Sequence, residues 1–401
     1  MALPPYPTQL IGDSHYILPV DGASRLVIFF GAKDLSHGNF NFFQLGRELP
    51  ESRIFVNNGA NGWYQHGIPG LGSDFESSIE TLKRWRDAVG AEEICTIGTS
   101  MGAYGAIQYG IALNARILAF SSDAVLNAPL SRSAQYFVGE KPPSCPDLRR
   151  MLADHPADIT LLAGERDPVD LYAAWQLQQA ASTSSDVSTS TGRFKAISLI
   201  GADHILPSFL SRRARLGPML RSFVAGNGIP TQPDQGGAIA ANGYCEAVFT
   251  AHGASLKSDW ETTETHARTA HQAYPYGEAA CMLLGQSLLK QTRYAESLVW
   301  LSCAAASQPA DLVAQSQLAL ALRHLGNPAR ARQIYSQILV QDPGYHKAHY
   351  ALGILNISAG NLPAAQRAVK KALRLNPDNK TYLDRLKDIA RRIKIEAKGK
   401  N

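Results

Sequence analysis

The sequence predicts a two-part fold: an α/β domain on a mostly parallel sheet, then an all-α array of helical repeats. Three observations predict it. Short apolar runs, each closed by small or polar turn residues, alternate with helix-length segments through the first 225 residues. A stretch rich in Gly, Pro and polar residues over 226–242 follows, and no strand pattern returns after it. Beyond that point Pro309, Pro343 and Pro377 recur at intervals of 34 residues. At 401 residues the chain is also too long for one ordinary core.

The runs are Leu26–Phe30 before Gly31, Arg53–Val56 before Asn57-Asn58-Gly59, and Ile94–Ile97 before Gly98. Then come Arg116–Phe120 before Ser121-Ser122-Asp123, Ile159–Leu162 before Gly164, and Ala196–Ile200 before Gly201. Runs apolar on both faces and spaced by helices belong to a parallel sheet covered on both sides. The intervening helices are expected at about 74–88, 101–112, 168–181 and 206–224. The first opens at Ser73-Asp74 with Glu76 in its first turn, an N-terminal signal. Residues 1–225 are read as one domain, 226–242 as a linker and 243–401 as the helical part.

In the helical part several positions share the 34-residue period. Gly285, Ala319 and Gly353 align, as do Ser297, Ala331 and Ala365, then Leu301, Tyr335 and Val369, and Gly326 with Gly360. Small residues let two helices cross closely, and proline stops the second one. This pattern over about 275–379 resembles the tetratricopeptide repeat, which implies helical hairpins that bind a protein partner. Thr292 stands where the turn glycine is expected, and 243–274 has room for a degenerate extra hairpin. Residues 380–396 read as a basic capping helix.

Composition is globular, 45% hydrophobic and 18% charged, and no apolar run approaches the roughly 20 residues of a membrane span. Met1-Ala-Leu-Pro-Pro5 carries no basic region followed by an apolar stretch, so a cytoplasmic address is expected. Cys95, Cys145, Cys245, Cys281 and Cys303 show no metal-ligand spacing and are expected as free thiols. The segment Lys380–Asn401 holds eight basic and three acidic residues, which accounts for the net charge of +5. The basic pI therefore describes a tail. The tail's apolar spacing fits a helix covering the last repeat, with a polyanion contact as the rival reading and no nucleic acid expected.

Gly98-Thr-Ser-Met-Gly102 is a GxSxG pattern set between an apolar run and a small-residue helix. A nucleophile on a tight strand-to-helix turn needs this setting. Here the chain, over about 15–224, resembles the α/β-hydrolase family. That resemblance implies a triad in the order serine, acid, histidine, and assigns Ser100, Asp167 in Gly164-Glu-Arg-Asp-Pro168, and His204 in Gly201-Ala-Asp-His204. His204 would take the serine proton, and the acid would fix the imidazole tautomer. Glu165, Asp170 and Asp203 are rival acids. Each residue alone also has a structural explanation: Ser100 ends a strand, His204 caps a helix, and Asp167 N-caps the helix that begins at Pro168.

The oxyanion hole is expected from the amides of Met101 and Ala32, the latter within Gly31-Ala32-Lys33, where Gly31 and Lys33 would also line the substrate site. Trp63 and Tyr64, in the amide-rich loop 57–66, would suit a sugar, or else pack inward. His37 and Asn39 would line the entrance, and 121–157 would form a short cap. No phosphate loop, dinucleotide fingerprint or HExxH is present, so no cofactor or metal is expected. The sequence thus points to a serine esterase or acyl hydrolase directed to a protein partner by its repeats. The alternatives are an acyltransferase or deacylase acting on a glycan, and a non-catalytic adaptor.

Overall fold

The computed structural model describes residues 10–11, 14–58, 61–136, 146–183 and 193–398. Expectations resting on Met1–Pro5, Gly59, Ala60, Cys145, the middle of the cap (137–145), Lys400 and Asn401 lie outside these residues. Contacts divide the chain into Met1–Phe249 with Gln272–Gly277, and Thr250–His271 with Glu278–Asn401.

In the first unit the six apolar runs become parallel strands. In chain order the elements are β1 (Leu10–Ile11), β2 (His15–Leu18), β3 (Arg25–Phe30), α1 (Phe43–Gly46), β4 (Ser52–Val56), α2 (Phe75–Ala88), β5 (Glu93–Thr99) and α3 (Met101–Ala112). They continue with β6 (Arg116–Phe120), α4 (Leu148–Asp154), β7 (Ile159–Gly164), α5 (Pro168–Ser182), β8 (Phe194–Leu199), α6 (Leu206–Ser211) and α7 (Leu216–Val224). The sheet order is β1-β2-β4-β3-β5-β6-β7-β8, with β1 and β2 antiparallel and the rest parallel. The edge strands β1 and β2 escape the sequence pattern because they are short, and in β2 only Ile17 is fully buried.

One sheet face packs Val27, Phe29, Phe55, Ile97 and Phe120 against Leu206, Phe209, Leu216, Met219 and Phe223 of α6 and α7. The other is covered by α3, whose Thr96 contact (Oγ1 to the Ala106 carbonyl, 2.8 Å) ties helix to strand. The single helix expected over 206–224 is two. Ala214 adopts a left-handed φ of 54°, and the resulting turn re-aims α7 onto the sheet.

The stretch 226–242 is not a linker. Ile200 N–H donates to the Asp234 carbonyl (2.8 Å), Gly236 N–H donates to the Ser198 carbonyl (2.9 Å), and Leu199 bridges Gln235. Arg215 grips Asp234 through two bonds of 2.6 and 2.7 Å. The buried Glu165 carboxylate accepts from Ser198 Oγ (2.7 Å) and Ala238 N–H (3.1 Å). Polar residues here carry the backbone pairing of an edge strap along β8, which composition alone cannot distinguish from a solvated tether.

The helical part comprises α8 (Tyr244–Leu256), α9 (Trp260–Ala273), α10 (Glu278–Lys290), α11 (Tyr294–Ser307), α12 (Leu312–His324), α13 (Pro328–Gln341), α14 (His346–Ser358), α15 (Leu362–Leu375) and α16 (Lys380–Lys398). Starts of alternate helices fall 34 residues apart from Tyr244 to Lys380, so the expected degenerate hairpin is a full one in register. The small residues sit at the crossings: a Cβ on Gly285 would meet Leu301 at 2.6 Å, and one on Gly353 would meet Val369 at 2.5 Å. At the turn the left-handed residues are Ser258, Thr292, Gly326 and Gly360, with φ of 60°, 61°, 77° and 74°. Ile389, Leu386 and Ile393 of α16 pack on Leu362, Ala365 and Val369, so the tail covers the last hairpin. Among the described residues no helix is long and apolar enough to cross a membrane.

Candidate active site

The chain leaves β3 toward β4 on one side and returns to β5 on the other. The loops after β3 and β5 therefore diverge at the carboxyl edge of the sheet, where α/β sheets open a crevice. Ser100 lies there, between β5 and α3, with φ 56° and ψ −122°. An L-residue adopts this conformation only when its surroundings impose it. They do: a Cβ on Gly98 would lie 2.0 Å from the Gly102 carbonyl oxygen, and one on Gly102 would lie 2.2 Å from that of Phe30. Glycines on both sides let the turn seat against β3 and lift the serine from the sheet edge.

His204, on the loop after β8, bridges two groups. Its Nε2 is 2.9 Å from Ser100 Oγ, and its Nδ1 is 2.9 and 3.1 Å from the carboxylate oxygens of Asp170. Ser100 and His204 are partly exposed, whereas Asp170 is buried. A buried carboxylate, an imidazole and a reachable hydroxyl in line form the arrangement in which a histidine deprotonates a serine.

The carboxylate that meets His204 is thus Asp170, and the expectation of Asp167 at that place is corrected. Asp167 is the N-cap of α5, its Oδ1 accepting from Val169 N–H (3.1 Å) and Asp170 N–H (3.0 Å). Its other oxygen meets the Arg132 guanidinium. Asp170, one turn into the helix, is carried over to His204. Of the other rivals, Glu165 holds the strap, and Asp203 is exposed with Oδ1 on Ile205 N–H at 3.0 Å.

Arg132, which the sequence reading missed, comes from the segment after β6. It pairs with Asp167 and lies 3.5 Å from Asp170 Oδ1. Burial opposes the Asp170 charge, yet the hydrogen bond and charge of His204, with Arg132, hold its pKa below the usual carboxylate value. Burial, then the Asp170 charge, push Asp167 up to about 6. The ligand atoms of Asp167, Asp170 and His204 lie within 4.8 Å of one another, close enough to hold a cation, but the Arg132 guanidinium already faces both carboxylates.

Four further expectations are corrected. The Ala32 amide donates to Asn41 Oδ1 (2.6 Å), so this loop's own side chain occupies the donor assigned to an oxyanion. Gly31 is engaged at both ends, its amide on Val56 O (2.9 Å) and its carbonyl accepting from Tyr64 Oη (2.9 Å). The Lys33 ammonium is held by Tyr136 and Asp34 (3.0 Å). Trp63 and Tyr64 are buried, Trp63 against Tyr136 and Tyr64 edge-on to Phe30. Asn58 Oδ1 accepts from Gly62 N–H (2.6 Å), and Tyr109 Oη of α3 donates to the Tyr64 carbonyl (3.2 Å). Met101 is the first residue of α3, where an amide has no acceptor within its own helix. His37 and Asn39 are exposed. Asn39 and Asn41 border a groove of about 950 Å³ walled by Phe40, Phe42, Phe43 and, just beyond His204, Pro207.

A tetratricopeptide repeat family model matches residues 322–388. The helices within this stretch match tetratricopeptide repeats. Among curated proteins the chain is similar to the FK506-binding protein-like protein of Homo sapiens, 32% identical over 93 residues, which is 23% of this chain and 25% of that one. It is similar also to that of Rattus norvegicus, 30% identical over 91 residues, 23% of this chain and 26% of that one. The chain therefore spans about a quarter of the length of these relatives. Among solved structures, the first TPR of Spaghetti (RPAP3) bound to the HSP90 peptide SRMEEVD is 21% identical, covering 29% of this chain and 92% of that one at a TM-score of 0.28. YrrB, a TPR protein with an unusual peptide-binding site, is 19% identical, covering 45% and 87% at a TM-score of 0.34. Repeats of this kind are protein–protein interaction modules.

Proposed function

We propose that the N-terminal unit is a serine esterase or acyl hydrolase that works through an acyl-Ser100 intermediate, and that the repeats bring it to a protein partner. The observation that carries this reading is the bridge of His204 between Ser100 Oγ at 2.9 Å and Asp170 at 2.9 Å. In the reaction His204 accepts the Ser100 proton as the oxygen attacks an acyl carbonyl, then returns it to the departing group. Asp170 stabilises the imidazolium, and the Met101 amide faces the developing oxyanion. Water completes the cycle in a hydrolase, and an acceptor hydroxyl completes it in a transferase. The glycan-directed alternative rested on Trp63 and Tyr64, whose burial leaves it without an aromatic platform.

The second reading is a non-catalytic adaptor, favoured by the repeat family match at 322–388. A fluorophosphonate probe separates the two. The acyl-serine reading expects labelling of the full chain that Ser100→Ala abolishes and His204→Ala lowers by about 10³-fold or more. Folded wild-type protein that stays unlabelled sinks that reading and leaves the adaptor.

A further inference from the structure

Asp167 and Asp170 place two carboxylates side by side next to His204, within 4.8 Å. Like charges that close in a buried site do not both ionise readily unless a cation stands between them. One does. The Arg132 guanidinium pairs with Asp167 Oδ2 and lies 3.5 Å from Asp170 Oδ1. Its backbone is fixed in turn, because Arg132 N–H and Ser133 N–H donate to the two oxygens of buried Asp123 at 3.2 and 3.0 Å. The segment after β6 thus carries a clamped cation to the acid of another loop.

We propose that Arg132 is a positioning residue for this triad: it neutralises Asp167 so that Asp170 alone presents its charge to His204. The proposal rests on the acyl-serine reading. Arg132 meets Asp167 and Asp170 and acts through the carboxylate that orients His204. The charged groups around Asp170 are Asp167 on its own helix, His204 from the loop after β8, and Arg132 with Asp123 from the segment after β6. Asp203 is exposed beside His204. Burial works against the Arg132 charge, but Asp167, Asp170 and Asp123 together raise its pKa above the usual value. Removing Arg132 leaves an excess negative charge. While that excess charge stays ionised beside the triad, the acid limb of serine reactivity moves upward.

The test is the rate of fluorophosphonate labelling of the full-length protein against pH. Arg132→Gln should raise the acid limb by about one pH unit, a roughly tenfold slower reaction on that limb. Arg132→Lys, which keeps the charge but not the fork, should shift it less. Adding Asp167→Asn to Arg132→Gln should return the limb toward the wild-type position, because the excess charge is gone. A staple that only ties the segment after β6 to α5 predicts a lower melting temperature, an unmoved limb and no rescue. A wild-type limb in folded Arg132→Gln, or a double variant no better than the single one, overturns the proposal while the acyl-serine reading stands. Should Arg132→Gln not fold, a limb in Arg132→Lys that matches the wild type overturns it as well. Wild-type protein unlabelled at every pH overturns both.

Discussion

Asp170→Asn should slow fluorophosphonate labelling by about 10²–10⁴-fold, since the amide stabilises the wrong imidazole tautomer, while Asp167→Asn should slow it less than tenfold because Asn keeps the N-cap. A larger loss in Asp167→Asn than in Asp170→Asn would return the acid to Asp167. The pair also predicts opposite pH effects on stability. Asp167, raised from 3.8 to about 6, contributes stability below its ordinary value and loses it as pH rises through about 6. Asp170, depressed, contributes above its ordinary value and loses it as pH falls. Asp167→Asn should therefore flatten the decline in melting temperature between about pH 4 and 6. The sequence held Ser100 and His204 in plain view, because glycine spacing and strand ends are local. It also held the clue to the acid. Asp followed by Pro is an N-cap signature, which folds Asp167 onto its own helix and leaves the next carboxylate, Asp170, for the site. Arg132 could not be read, since nothing local in its segment names a partner 35 residues onward.

At the scale of elements, the 34-residue register fixes more than helix positions. Thr292 holds the same left-handed turn as Gly326 and Gly360, with φ of 61°. A β-branched residue is strained there, and glycine is not. Thr292→Gly should stabilise the repeats by about 1 kcal/mol, measured by urea unfolding, and a neutral or negative change would show that Thr292 gains contacts that offset its backbone strain. Periodicity made the hairpins legible, including the start of the extra one, because repeats align to one another. The parallel strands were legible for a different reason: they are apolar on both faces. The edge strands β1 and β2 and the break at Ala214 were not. Pairing at a sheet edge and a single left-handed residue leave no periodic trace in composition.

At the scale of the whole chain, the first unit runs past residue 225 and takes in the strap over 232–239. Its Gly, Pro and Gln content suggests a tether, yet it completes the edge of β8 and ties into Glu165 and Arg215. A chain ending at residue 225 would free the Ile200 amide and the Ser198 carbonyl, deprive Glu165 of the Ala238 amide and Arg215 of Asp234, and expose β8 as an open edge. Four such losses at about 1 kcal/mol each come to about 4 kcal/mol, before the burial of Ala238 and Ile239 is counted. For a domain of this size that corresponds to a fall of roughly 8–16 °C in melting temperature, or to aggregation through the bared edge. A chain ending at residue 277, which keeps the strap and Gln272–Gly277, should melt well above it in calorimetry. Equal melting temperatures for the two would mean that the strap lies on the sheet without supporting it, and that 226–242 is a tether after all.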